Sequence, residues 1–345
     1  MKWKIGIIGF GNVSQGLVRI LTSKEEMLKK AYGFDFQIMA ISDPVKGSVY
    51  SEDGLDLAKI MELIDKTGNI KDYPEGMKTL DSIKMIKETD TNLIIETTPT
   101  NVKTGEPGLT HIKTALQSKK FVVTTNKGPI ALAYPELKKM ADENGVCIRF
   151  EGTVLSGTPA LNLAMEALAG CSISKVQGIV NGTTNFILTK MEEGKNYESA
   201  LKEAQELGYA EADPTADVEG WDAAVKTVIL ANVIMGGHIA IGDVKRKGIT
   251  GITLDEVKKA KENNKRIKLI AEVTKENGVI EATVLPKEIP IAHPLANVMG
   301  AINALTFTTD HLGDVTIIGP GAGRVETGQA LLTDILAINR LFGRS

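Results

Sequence analysis

Between Glu206 and Lys226 the sequence reads ELGYAEADPTADVEGWDAAVK. Six carboxylates, Glu206, Glu211, Asp213, Asp217, Glu219 and Asp222, fall in this run before a single lysine closes it. Two kinds of chemistry fit such a run. One is a solvated acidic loop. The other is a site for an ammonium-bearing ligand, with the lysine left to move a proton. Asp222 and Lys226 stand four residues apart and share one helix face. Taken alone, such a pair is a surface salt bridge worth about 0.3–0.5 kcal/mol. Here its neighbours Trp221, Ala223, Ala224, Val225 and Val228 are apolar, and a helix apolar on most sides is buried. A buried carboxylate and lysine need partners or a task. Pro214 fits the lead into this helix, Asp217 is expected as its N-cap, and the pattern predicts helix over Val218–Met235.

A second constellation lies at the other end of the chain. GFGNVSQG begins at Gly9, after the apolar run KIGIIGF and before a helical pattern. Gly9 and Gly11 occupy the first two glycine places of G-x-G-x-x-G, and Ser14 stands in the third. The first glycine permits the tight turn and the second lets backbone approach a pyrophosphate. The third allows close helix–strand packing, which a serine can replace at some cost. The N–H groups of Phe10, Asn12 and Val13 open the helix whose N-terminus would face phosphate. Asp43 ends the next strand, 32 residues beyond Gly11, farther than the usual ~20. It fits equally a contact to an adenosine ribose hydroxyl and the capping of a turn, and Lys46 nearby could meet a 2′-phosphate. Lys127, in TTNKGPIA, follows a strand end, where open α/β sheets bind ligands.

The elements that must carry these groups follow from periodicity. KIGIIGF, FQIMAISD, NLIIETT, FVVTTN and VCIRFEG read as strands, separated by helical patterns such as Val13–Lys30, Pro107–Ser118 and Tyr134–Asn144. Alternation of this kind implies a parallel sheet covered on both faces. Residues 44–90 are less regular and hold one further helix, Leu55–Lys66. Beyond residue 151 helices are expected at Thr158–Leu168 and Asn196–Leu207. KVQGIVNG, RIKLIAEVT, GVIEATVLP, VMGAINALTFTTD and DVTIIGPG then read as strands. An amphipathic helix, Val325–Phe342, closes the sequence. The fold class is therefore α/β: a Rossmann-type dinucleotide-binding domain over 1–150, with the C-terminal helix (322–345) packing back on it, and an α+β substrate and dimerisation domain over 151–321. An open sheet edge in the second domain would favour a symmetric homodimer.

Composition narrows the function classes. Apolar residues make up 43% and charged residues 24%, with a net charge of −3, so no footprint for nucleic acid or an anionic membrane is visible. No apolar run reaches membrane-spanning length, and the first residues lack a signal-peptide pattern. Cys147 and Cys171 form no disulfide framework and fit reduced thiols in the cytoplasm. His111, His238, His293 and His311 show no metal-ligand spacing, which argues against a zinc dehydrogenase.

GFGNVSQG, TTNKGP, GIVNGTTNFIL, the Glu206–Lys226 block, HPLANVMGAINA and GPGAG…TGQALLTDI together resemble the homoserine dehydrogenases, over essentially the whole chain. The resemblance implies NAD- or NADP-dependent interconversion of L-homoserine and L-aspartate 4-semialdehyde, a step toward threonine, methionine and isoleucine. It implies Lys226 as the catalytic lysine and Lys127 as a second lysine at the active site. Glu211 and Asp222 become homoserine-binding carboxylates, with Asp217 in support. Cofactor contacts are implied at Gly9, Phe10, Gly11, Asn12, Val13, Asp43, Thr97, Thr98, Lys127, Gly208 and Gly323. A sodium ion is implied at Glu151, Val154, Ser156 and Thr158, an oxygen donor set that suits a hard cation. Carboxylates would hold the α-ammonium by charge-assisted hydrogen bonds. The charge of Lys127 would lower the pKa of Lys226 and that of Asp222 would raise it. Ser14 and Ala216 depart from the family pattern. With Ser345 soon after the final helix, threonine is not expected to inhibit through an appended domain. Two other readings compete: a semialdehyde dehydrogenase with a cysteine nucleophile, and a dinucleotide-sensing regulatory protein without turnover.

Overall fold

A computed structural model of the chain describes residues 1–74, 76 and 81–343. Part of the irregular stretch expected at 44–90, and the last two residues of the C-terminal helical segment, lie outside the described residues. The chain divides into two compact units, Met1–Gly157 with Gly323–Ser345, and Thr158–Ala322.

The first unit is built on a six-stranded sheet. Its strands are β1 (Lys2–Ile8), β2 (Asp35–Asp43), β3 (Gly47–Tyr50), β4 (Leu93–Glu96), β5 (Phe121–Thr124) and β6 (Ile148–Arg149), in the order β3-β2-β1-β4-β5-β6. Neighbours pair in parallel except β2 with β3. Every residue of β4 and β5 is buried, as a parallel strand covered on both faces requires. The helices are α1 (Asn12–Tyr32), α2 (Leu57–Thr67), α3 (Ser82–Glu88), α4 (Gly108–Gln117) and α5 (Lys127–Glu143). Sequence patterning misses β3, a four-residue strand that returns along β2 through a tight turn. It also starts α5 at Tyr134, because Pro135 resembles a first-turn proline. The helix instead begins at Lys127, capped by Asn126, and runs through Pro135, which forfeits one helical hydrogen bond there.

The C-terminal helix, Arg324–Phe342, completes this unit by packing on α1. Two glycines make the close crossing possible. A Cβ on Gly16 would overlap the Arg324 carbonyl, and one on Gly328 would come within 2.7 Å of the Leu17 nitrogen. Trp3 Nε1 donates to Asn339 Oδ1 at 2.9 Å, pinning β1 to the same helix.

The second unit carries a separate sheet of β7 (Ile173–Ile179), β8 (Lys245–Arg246), β9 (Lys265–Glu276), β10 (Val279–Pro290), β11 (Ile302–Thr309) and β12 (Gly313–Pro320), ordered β12-β11-β7-β9-β10-β8. All pairs are antiparallel except β10 with β8. Its helices are α6 (Ala160–Asn162), which passes into a π-helical turn at Leu163–Ala167, then α7 (Gly182–Glu192), α8 (Tyr197–Glu206), α9 (Thr215–Val218), α10 (Trp221–Ile234) and α11 (Leu254–Glu262); the C-terminal helix is α12. In α10, Val225, Val228, Ile229 and Leu230 are all buried, each contributing about 1.5–3 kcal/mol. The continuous helix expected over Val218–Met235 is broken. Gly220, with φ 76°, separates α9 from α10, and only a left-handed residue can make that joint. Asp217 consequently lies inside α9 and is not an N-cap; Asp213 Oδ1 accepts from Thr215 N instead, at 3.1 Å.

Candidate active site

The first unit gathers the nucleotide motif at the carboxyl ends of β1, β2 and β4, where the strand order reverses. Gly9 has φ 83°, and a Cβ there would sit 2.7 Å from the Thr97 carbonyl oxygen. No other residue fits. Gly11 is the N-cap of α1, and a Cβ on it would meet nothing within 4 Å. The backbone there is open, leaving room for a ligand to approach. Ser14 is fully buried, 2.8 Å from the Gly9 carbonyl and 2.5 Å from Thr97 Oγ1. The serine in the third motif place thus ties the loop to β4. Gln15 Nε2 donates to the Phe10 carbonyl at 2.9 Å and Arg324 Nη2 to Asn12 Oδ1 at 2.8 Å. Val13 lies in the first turn of α1.

Asp43 does two jobs at once. Oδ1 accepts from Val45 N and Lys46 N at 2.9 and 2.8 Å, capping the β2–β3 turn, while Oδ2 accepts from Phe10 N at 2.7 Å. The carboxylate therefore locks the glycine loop against the turn. A cleft of about 660 Å³ opens beside it, lined by Gly9, Asp43, Pro44, Val45, Thr98 and His111 among others. The Lys46 ammonium is directed to the Gly68 carbonyl at 3.3 Å.

Under the other end of this cleft lies a polar network that patterning passes over. Glu96, wholly buried at the end of β4, accepts from Thr98 N at 3.0 Å, from the Thr98 hydroxyl, and from Thr124 Oγ1 at 3.1 Å. Asn126 Nδ2 donates to the Thr98 carbonyl at 3.2 Å, and Asn126 Oδ1 accepts from Gly128 N at 3.3 Å. Lys127 is the first residue of the helix this asparagine caps. A cation at a helix N-terminus opposes the macrodipole, so its place there asks for a function. Glu151, 1% exposed, opens a short 3₁₀ turn, and its N–H donates to Asp334 Oδ2 at 2.7 Å. Val154 is buried, and Ser156 adopts φ 54° with its hydroxyl 2.6 Å from Thr327 Oγ1. Gly323, φ 135°, starts α12, and a Cβ on it would overlap the Glu326 carboxylate.

The second unit assembles the acidic block. Lys226 is buried, with Nζ 2.8 Å from Asp222 Oδ2 and 2.7 Å from the Val180 carbonyl. Asn181 caps α7 through its Oδ1, which accepts from Thr184 N at 2.9 Å. Its Nδ2 donates to Asp217 Oδ1 at 2.6 Å and Asp222 Oδ2 at 3.1 Å. One asparagine thus aligns both carboxylates beside the lysine. Burial pushes the Asp217 carboxyl above its ordinary value; the Asn181 hydrogen bond opposes this, and the Asp222 charge adds to it. Glu211 is exposed, and its carboxylate makes no hydrogen bond among the described residues; its carbonyl accepts from Gln205 at 3.1 Å. Gly208 adopts φ 76° with open space around it. Thr158 belongs to this unit, and its hydroxyl donates to the Pro320 carbonyl at 2.9 Å.

Neither thiol supports the cysteine-nucleophile reading. Burial pushes Cys147 up to about 11, which suppresses the thiolate such chemistry needs, and Cys171 lies just ahead of β7. Among the described residues no helix is long and apolar enough to cross a membrane.

Comparison with known proteins agrees with this geometry. Residues 159–336 match the homoserine dehydrogenase family model, and residues 2–103 match that of the Glutamate/Leucine/Phenylalanine/Valine dehydrogenases. The chain is 47% identical to a homoserine dehydrogenase of Methanocaldococcus jannaschii over 96% of its own length and 97% of the relative's. It is 44% identical to an NAD(+)-dependent homoserine dehydrogenase of Pseudomonas canavaninivorans, covering 98% and 97% of the two chains. A hyperthermophilic archaeal homoserine dehydrogenase in complex with NADPH superimposes with a TM-score of 0.85 at 32% identity, over 99% of both chains. A glycine loop at the carboxyl end of β1, a lysine buried among carboxylates and relatives matched from end to end all lead to one assignment: the chain belongs to the homoserine dehydrogenase family and is an NAD(P)-dependent oxidoreductase.

Proposed function

We propose that Lys226 is the proton-transfer group in the interconversion of L-homoserine and L-aspartate 4-semialdehyde. The observation that carries this is the buried contact of its Nζ with Asp222 and the Val180 carbonyl. In the oxidative direction the substrate C–O–H loses its hydroxyl proton to a base and a hydride from the same carbon. The nicotinamide, when bound, supplies the hydride acceptor. In reduction, Lys226 gives its proton to the forming alkoxide, and Asp222 holds the ammonium in place. Asp217, Asp222 and Glu211 are assigned to the substrate α-ammonium by charge-assisted hydrogen bonds. Lys127 is assigned to the active site beside the nicotinamide. Homoserine oxidation followed by nicotinamide absorbance, on wild type and Lys226→Ala, tests the assignment; undiminished turnover in the variant would overturn it.

The cofactor reading is NAD in preference to NADP. Asp43 faces the cleft with its charge, the Lys46 ammonium is directed to Gly68, and a carboxylate repels a 2′-phosphate. The remaining cofactor contacts are assigned to Gly9, Phe10, Gly11, Asn12, Val13, Thr97, Thr98, Gly208 and Gly323. Measuring kcat/KM with both cofactors checks the preference, and about tenfold in favour of NADP would remove the role given to Asp43. A sodium ion at Glu151 and the carbonyls of Val154, Ser156 and Thr158 fits the donor chemistry, since the set is all oxygen and includes a buried carboxylate. A homodimer is supported by the place of β12 at the end of its sheet, paired among the described residues with β11 alone, and by Ile318 there being 54% exposed. Free cysteines fit a reducing, cytoplasmic setting.

A further inference from the structure

Cys171, Asp310 and His311 have no part in the site above, yet the second unit brings one ligand atom from each within 4.8 Å of the others. Cys171 precedes β7, and Asp310–His311 form the turn between β11 and β12. Strand pairing makes the meeting rigid. The β7–β11 ladder ends at Ile173 opposite Thr309. One step beyond it, Asp310 N donates to the Ser172 carbonyl at 3.1 Å, and Ser172 N donates to Asp310 Oδ1 at 2.9 Å. Cys171 N is held by the Leu168 carbonyl at 3.0 Å. The thiol is half-exposed and the other two residues are exposed, so an ion can enter from solvent.

We infer that Cys171, Asp310 and His311 bind a divalent transition-metal ion of borderline softness, with zinc as the expected occupant. A thiolate, an imidazole and a carboxylate are the ligand types zinc takes, and three of them leave a fourth tetrahedral position for water. Sulfur and nitrogen donors select against magnesium and calcium. His311 Nδ1 lies 3.1 Å from Asp310 Oδ1. That is near the ~3.3 Å spacing of two donors bonded at about 2 Å to one tetrahedral ion. The Ser172 N–H on Asp310 is the kind of outer hydrogen bond that orients a ligating carboxylate. Binding converts the Cys171 thiol to a metal thiolate and releases one proton to solvent. The ion would clip the lead-in of β7 to the β11–β12 turn.

Cobalt(II) titrated into reduced, metal-free protein tests this. The expected result is a thiolate-to-cobalt absorption band at one equivalent, bleached when zinc displaces the cobalt. The band should vanish in Cys171→Ser and persist in Cys147→Ser. His311→Ala and Asp310→Asn should each weaken zinc binding about tenfold or more. All three positions are outside the catalytic groups, so homoserine turnover and circular dichroism should match wild type and report intact folding. Absence of the band, its survival in Cys171→Ser, or unchanged zinc affinity in His311→Ala would overturn the site.

Discussion

At the scale of the residue, the proposed proton transfer rests on Lys226 and the groups that hold it. Lys226→Ala should lower kcat by about 10²–10⁴-fold, the usual cost of a lost general acid, with cofactor affinity nearly unchanged. Lys226→Arg should not restore activity, because a guanidinium does not release its proton at working pH. Asp222→Ala should raise the KM for homoserine and also lower kcat, since Asp222 Oδ2 is itself the anchor of the lysine. Steady-state kinetics with cofactor titration by fluorescence reads all three. If Lys226→Ala kept more than about a tenth of wild-type kcat, Lys127 would become the candidate. Asp217 gives a pH signature. Its carboxyl is held above its ordinary value of 3.8 by burial, so as pH falls it takes up a proton before a free aspartate would. The neutral acid no longer attracts an ammonium, and 1/KM should drop on the acid side with a midpoint above that value. The same raised value means the folded chain binds this proton more tightly than the unfolded one. Ionised Asp217 therefore weakens the fold at neutral pH, and the penalty fades as pH falls. Asp217→Asn should abolish the acid limb and keep or raise Tm at pH 7; an unchanged limb would remove Asp217 from substrate binding. Lys226, Asp217 and Asp222 were legible in the sequence because one short segment holds them. Asn181 was not, because its bonds to the two aspartates span 36 and 41 positions. The Cys171–His311 meeting left no trace in spacing, since the two residues lie 140 positions apart.

At the scale of the element, glycine placement decides what patterning can and cannot see. Gly9→Ala should cost about 1–2 kcal/mol for the left-handed backbone alone, with a further clash against the Thr97 carbonyl. Its Kd for NAD should rise while homoserine KM at saturating cofactor changes little; an unaltered Kd would contradict the loop's role. This turn was legible because G-x-G after a strand has few other uses. The Gly220 joint was not, because Val218–Met235 is apolar enough to read as one helix. Only the contact of the 248 region with Val218–Glu219, where a Cβ on Gly248 would overlap the Val218 carbonyl, shows why α9 must stop. Patterning also missed α11. Its Thr253–Glu256 capping box is present, but the nine residues it introduces are mostly charged and carry a narrow apolar stripe. In β6 the reverse occurs: seven residues are strand-like in pattern, and two pair.

At the scale of the whole molecule, the alternation of strands and helices followed by a strand-rich half gave both sheets, because each buries its own apolar pattern. The change of sequence pattern puts the boundary at 150; the compact first unit extends to Gly157 and resumes at Gly323. A chain cut before Arg324 should lose NAD binding and aggregate. It would strip α12 from α1 at the Gly16–Leu17 crossing, where Leu17 is wholly buried in the intact chain. Nucleotide affinity and light scattering of the truncated chain check this, and a monodisperse, NAD-binding product would refute it. The return of α12 has a consequence for biosynthesis. During translation the β1–α1 unit is made before the second unit, but its covering helix only after every residue of that unit. The glycine loop must therefore wait, with its hydrophobic flank uncovered, while the whole second unit is synthesised. Ribosome-bound chains should stay unable to hold dinucleotide until Arg324–Phe342 clears the exit tunnel.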